Sequence, residues 1–215
     1  NRPAAASHRA CEMKLPLKGV KVLDLSAFLS GPLATATLAE QGADVIKVET
    51  PGGDGTRSIG PGKTDLTAMF IAANRGKRSI AVDLKNAAGR EVVVEIARRV
   101  DVLVENMRPG VLGRLGLGYG TLSALNPRLV YLSITGFGQD GPDVATKAYD
   151  GVIQATAGVS AAHRDPRTGD PTVLSTAVCD KLTALTASQA VCSALFARER
   201  TGRGTHVRLA MLDAA

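Results

Sequence analysis

The chain has 215 residues, 45% of them apolar and 3% aromatic, with no Trp; 26 basic against 20 acidic side chains leave it at +6. That length can bury a sizeable core in one large domain, and no apolar run approaches the roughly 20 residues that span a bilayer, which argues against a membrane protein. The positive balance suits a small polyanion, but dispersed arginines with so few aromatics offer no base-stacking platform, which argues against nucleic acid.

Residues 1–16 are Ala-rich and basic, lack the apolar segment of a signal peptide, and read as a loose tail before one domain over 17–215. Lys21 to Leu25 predicts a first strand, Pro32 to Gln41 a helix with small residues on its packing face, and Asp44 to Glu49 a second strand. Strand, helix and parallel strand in succession make a right-handed βαβ unit. A long loop rich in Gly and Pro follows, from Pro51 to Gly62. Ser79 to Leu84 reads as a strand, Ala87 to Arg99 as an amphipathic helix, and Asp101 to Glu105 and Leu129 to Ile134 as further strands. Helical patterns return over 149–157 and 181–199. The alternation is that of an α/β domain, doubly wound, with a mostly parallel sheet and flanking helices.

The first βα turn, Ser26 to Pro32, contains Gly31 but no G-x-G-x-x-G, so it lacks the glycines an NAD pyrophosphate needs, although Glu49 sits where a ribose-binding acid would. The fourth predicted strand ends abruptly in Asn106 and Arg108, Pro109 and Gly110 constrain the turn, and Arg114 follows one helical turn later. Ligands of open α/β sheets bind beyond the carboxyl ends of the strands. An amide and two guanidinium groups there suit phosphates or carboxylates, though the same residues also suit an ordinary solvated loop.

No metal site is indicated: His8, His163 and His206 are isolated, and Cys11, Cys179 and Cys192 fit neither metal spacing nor a disulfide framework. Widely spaced, odd-numbered cysteines point to the cytoplasm. Without a G-x-S-x-G elbow, serine hydrolase chemistry lacks its nucleophile. Asp180 follows the largely apolar Pro171 to Cys179 and opens a helix over Lys181 to Arg198. It reads either as a helix N-cap, worth about 1 kcal/mol, or as a nucleophilic carboxylate kept ionised by the helix N-terminus.

Several segments together resemble the family III CoA-transferases, which include formyl-CoA:oxalate and carnitine CoA-transferases and the α-methylacyl-CoA racemases. They are GADVIKVE (42–49), NRGKRSIAVDLK (74–85), VENMRPG (104–110), RLGLGY (114–119) and PTVLSTAVCD (171–180), in the family's order. The resemblance implies a Rossmann-like large domain that binds coenzyme A as an acyl-CoA substrate and passes CoA to a carboxylic acid acceptor. It places the attacking aspartate at Asp180, with a mixed anhydride and an aspartyl-CoA thioester as intermediates. It puts Ser30 in the turn lining the CoA site, and Asp83 and Lys85 at the adenine and phosphate end. Asn106 lies at the strand end, with Arg108 and Arg114 for the phosphates; Lys147 touches CoA, and Asp150, beside Tyr149, stands close to the nucleophile. The racemase branch carries His where this chain has Tyr149, and a phenol is a poor base near neutral pH. Cys179 departs from a position that is often Gly. The resemblance also implies an interlocked homodimer at full length, a second small domain and a return segment beyond residue 215. A module that binds CoA without turnover is the alternative from a different class.

Overall fold

The structure, a computed structural model, describes residues 15–64 and 66–215. The tail expected over 1–16, with His8 and Cys11, lies almost wholly outside the described residues. One six-stranded sheet is formed by β1 (Lys21–Asp24), β2 (Asp44–Glu49), β3 (Arg78–Ala81), β4 (Val102–Glu105), β5 (Val130–Thr135) and β6 (His206–Ala210). The strands lie in the order β3-β2-β1-β4-β5-β6, every neighbouring pair parallel. The order reverses between β1 and β4, so the ligand crevice of such a sheet opens beyond the carboxyl ends of these two strands. A small antiparallel hairpin, Gly62–Lys63 with Leu66–Thr67, stands apart.

Helices α1 (Ser30–Glu40), α2 (Ala68–Asn74), α3 (Ala87–Ala97), α4 (Val111–Arg114) and α5 (Tyr119–Leu125) alternate with the first strands. Then come α6 (Asp150–Thr156), α7 (Val159–Ala162), the long α8 (Val178–Thr201) and α9 (Met211–Ala214). Side chains alternate across the sheet: Val102 and Val104 of β4 join the core under α1 and α8, and Leu103 joins the core with Val93 of α3 and Leu122 of α5. Burial on both faces is why β4 reads as an unbroken apolar run. Small side chains at the packing positions, Ala34 and Thr35 on α1 and Ala184, Ala187 and Ser188 on α8, are buried.

The strands agree with the sequence reading to within a few residues, but β6 was not foreseen. His206–Ala210 is an edge strand with only Ala210 buried, so its pattern is faint. What admits it is Gly204: a Cβ there would collide with the Leu129 carbonyl, and its absence lets Gly204 N–H reach Pro127 O at 2.9 Å.

Candidate active site

The site grows from the end of β1. Asp24 is fully buried, and its carboxylate accepts hydrogen bonds from the Ser26 N–H (2.9 Å), the Ser26 hydroxyl, the Thr35 hydroxyl (2.6 Å) and the Lys77 ammonium (2.9 Å). Burial alone would raise this acid; the charges of Lys77 and Lys47, with the two hydroxyls, outweigh it and hold Asp24 at about 2. Lys47 donates to the Ser26 carbonyl at 2.8 Å and pairs with buried Asp54 at 2.9 Å. Asn106 closes the other side, its Oδ1 accepting the Ala27 N–H (2.8 Å) and its Nδ2 donating to the Ala27 carbonyl (2.7 Å). The β1–α1 turn is therefore held from three elements at once. Gly31 is required there, because a Cβ would overlap the Ser26 side chain. Phe28 takes a left-handed φ of 64°, and its ring, 45% exposed, meets Tyr149 edge-on at 6.3 Å.

This turn aims Ser30, the first residue of α1, at Asp180. The helix carrying Asp180 starts earlier than the sequence suggested: α8 begins at Val178, Ala177 is the N-cap without a side-chain bond, and Asp180 is the third helical residue. The N-cap reading is thereby corrected. The cap comes from elsewhere, since Asp150, the first residue of α6, accepts the Asp180 N–H on Oδ2 at 2.9 Å. Burial pushes the Asp180 carboxyl up and the neighbouring Asp150 charge adds to it; the Ser30 hydroxyl and amide oppose both, and the result is about 6. Cys179 packs fully buried in the core behind it, with burial raising its thiol.

A cavity of about 250 Å³ opens beside Asp180. Ser30, Asn106, Arg108, Lys147, Tyr149 and Asp180 line it, with Phe28, Met107 and Met211 as apolar walls. Arg108 and Lys147 are exposed and enter no ion pair among the described residues, so two cations face one half-buried carboxylate.

A family model described as CoA-transferase family III matches residues 17–215. The chain belongs to CoA-transferase family III. It is 45% identical over 202 residues to an acetyl-CoA:oxalate CoA-transferase of Acetobacter aceti, covering 93% of this chain and 52% of that protein. It is 42% identical over 208 residues to a succinate–glutarate CoA-transferase of Agrobacterium fabrum, at the same coverage. A solved CAIB/BAIF family protein from Brucella suis superposes with a TM-score of 0.89 at 42% identity, over 94% of this chain and 54% of that one. The chain spans about half the length of the relatives it matches.

In this family III chain the structure gathers most of the sequence-derived site around one cavity and leaves three members apart. Asp83 and Lys85 are exposed on the loop after β3, where Asp83 accepts the Lys85 N–H at 2.9 Å. Arg114 ends α4, exposed, its guanidinium lying over Gly110. These residues and the cavity share the carboxyl edge of the sheet, so a ligand reaching both would lie along that edge. Asn106 lines the cavity, but its amide is occupied by Ala27. Sequence reasoning did not single out Asp24, Lys47 or Lys77. Their partners are too far along the chain for any local pattern to reveal.

Proposed function

We propose that this chain carries the CoA-binding and nucleophile part of an enzyme that moves CoA from an acyl-CoA thioester to a free carboxylic acid, with Asp180 as the attacking carboxylate. The observation that carries the reading is Asp180 itself: a half-buried carboxylate at a cavity wall, facing Ser30 and accompanied by Arg108 and Lys147, which enter no ion pair among the described residues. An Asp180 oxygen attacks the thioester carbonyl, the C–S bond breaks, and CoA leaves as the thiolate beside a mixed anhydride. The thiolate attacks the Asp180 acyl carbon; the C–O bond to the donor acid breaks, leaving an aspartyl-CoA thioester and a free carboxylate. An acceptor carboxylate attacks that thioester to give a second anhydride, and the thiolate then takes its acyl group, restoring Asp180. Splitting the exchange in this way is the advantage of nucleophilic catalysis.

The two cations suit anionic ligands, Arg108 by a two-pronged contact and Lys147 as a point charge. We place the phosphate-bearing part of CoA toward Arg108, Arg114, Asp83 and Lys85, along the sheet edge. The relatives' names suggest acetyl-CoA with oxalate and succinyl-CoA with glutarate as first assay pairs. The reading includes a homodimer and the additional length the relatives possess, and it sets the enzyme in the cytoplasm, consistent with the two free thiols on α8.

Arg108→Ala should weaken CoA binding by about 1.5–3 kcal/mol, the usual loss for a charge-assisted hydrogen bond. Calorimetry with CoA, 3′-dephospho-CoA and pantetheine separates the roles: equal losses for all three would make Arg108 structural. Because Asp180 attacks as the carboxylate and sits at about 6, kcat/KM should be level only well above pH 6, stand at half its plateau near pH 6 and keep falling below it. A profile still level at pH 5 would contradict that assignment. The racemase reading predicts exchange of the α-proton of a 2-methylacyl-CoA with solvent deuterium. Tyr149, 65% exposed with its ring against Phe28, supplies no base for it, so no deuterium should appear.

A further inference from the structure

Gln154 lies on α6, one helical turn beyond Asp150, and is 1% exposed. Its Oε1 accepts the Leu174 N–H at 2.8 Å. Its Nε2 donates to Asp150 Oδ1 and faces the carbonyls of Thr176 and Leu174 at 3.3 and 3.5 Å. Only one orientation of the amide satisfies this set, since a flip would set its oxygen against a carboxylate and two carbonyls. Few side chains could replace it. Glutamate lacks the donors, lysine and arginine lack the acceptor, and asparagine is a carbon too short to span the turn.

Two features make the contact consequential. Residues 172–177 form neither helix nor strand, yet they lead directly into the first turn of α8, where Asp180 sits. That helix has no side-chain cap of its own and depends on Asp150 Oδ2 for the Asp180 N–H. Asp150 and Asp180 are also like charges held close together, an arrangement that persists only when hydrogen-bond donors fix it. Gln154 supplies such a donor to Asp150 Oδ1 and anchors the Leu174 to Thr176 backbone with the same amide. It does not line the cavity.

We propose that Gln154 is a positioning residue for Asp180: it fixes Asp150 with one oxygen toward the start of α8 and holds the preceding segment, so that the Asp180 carboxylate is presented to Ser30 and the cavity. The inference rests on Asp180 being the reacting group. It predicts a loss in kcat with little change in acyl-CoA KM, because Gln154 acts through Asp150 and touches no ligand.

The test uses the protein containing this chain and an acyl-CoA–acceptor pair that the parent turns over. Gln154→Glu keeps the size and the acceptor for Leu174 but sets an oxygen against Asp150; Gln154→Met removes every polar contact. Each should lower kcat by about 100-fold, the effect of a misplaced reacting group, with KM within about threefold of the parent. For Gln154→Glu the ratio of variant to parent kcat should rise as the pH is lowered, because the protonated acid can again donate to Asp150; for Gln154→Met the ratio should stay flat. Should Gln154→Met not fold, Gln154→Glu alone carries the test. A kcat within about threefold of the parent in the folded variants, or a loss residing in KM, overturns the proposal. Asp180→Ala is measured beside them. If it is inactive while the Gln154 variants keep kcat, only the positioning role fails. If it is active, the nucleophile reading fails and this inference with it.

Discussion

Asp180→Ala should abolish CoA transfer, lowering kcat by at least about a thousandfold, while CoA affinity stays close to that of the parent. The size of the effect follows from chemistry that has no substitute nearby. The nucleophile passes through three successive covalent intermediates, two anhydrides and a thioester, and losing it removes the route itself rather than one contact along it. Asp150 stands beside it, but one oxygen is engaged by the Asp180 N–H and the other by Gln154. Affinity should persist because the cations of the cavity, Arg108 and Lys147, lie on other elements. Steady-state assays with acyl-CoA donors, together with calorimetry against CoA, measure both halves. Asp180→Asn should behave like Asp180→Ala, since an amide keeps the shape but not the nucleophile.

The second large effect concerns stability. Lys77→Met should destabilise the fold by about 3–5 kcal/mol, the usual consequence of removing one partner from a buried ion pair. Both side chains are almost wholly enclosed, Lys77 at 2% and Asp24 at 0% exposure. Without its ammonium, the Asp24 carboxylate keeps two hydroxyls and the more distant Lys47 charge in a dry site, and burial then favours the protonated acid. Urea unfolding of variant and parent measures the loss, and a change below about 1 kcal/mol would show that the pair is not structural. The pair also has a pH signature. Asp24 sits at about 2 in the fold against an ordinary 3.8, so the stability it contributes is complete above about 4 and is lost as the pH falls through 2. Because Lys77 braces the turn that aims Ser30 at Asp180, folded Lys77→Met protein should also turn over more slowly.

How far the sequence reveals this molecule depends on whether a feature is local. β4 was legible because a strand buried on both faces leaves a continuous apolar run, and Asn106 and Arg108 were legible because that run ends so sharply before them. β6 was not, since an edge strand with one buried residue leaves little alternation. Asp180 was found through its segment's resemblance to the family, and the structure places it at the cavity wall. Its cap was misjudged because the group that satisfies its N–H is Asp150, on a different helix. The same holds for Lys77, whose charge reads as solvated until β1 is laid beneath it, and for Gln154, whose partners meet only when 172–177 folds back over α6. Side chains that make chemistry possible by holding others are set by tertiary contacts, and no spacing rule reaches them.

The account turns on a covalent bond to Asp180. Incubating the protein that contains this chain with an acyl-CoA donor, adding hydroxylamine and digesting with trypsin yields a peptide, Thr168 to Lys181, in which Asp180 is placed for identification. Fragmentation by mass spectrometry should locate an acyl-CoA-dependent hydroxamate on Asp180, absent when the donor is omitted and absent in Asp180→Ala. Transfer activity with that peptide unmodified, or a donor-dependent hydroxamate on another carboxylate, would contradict it.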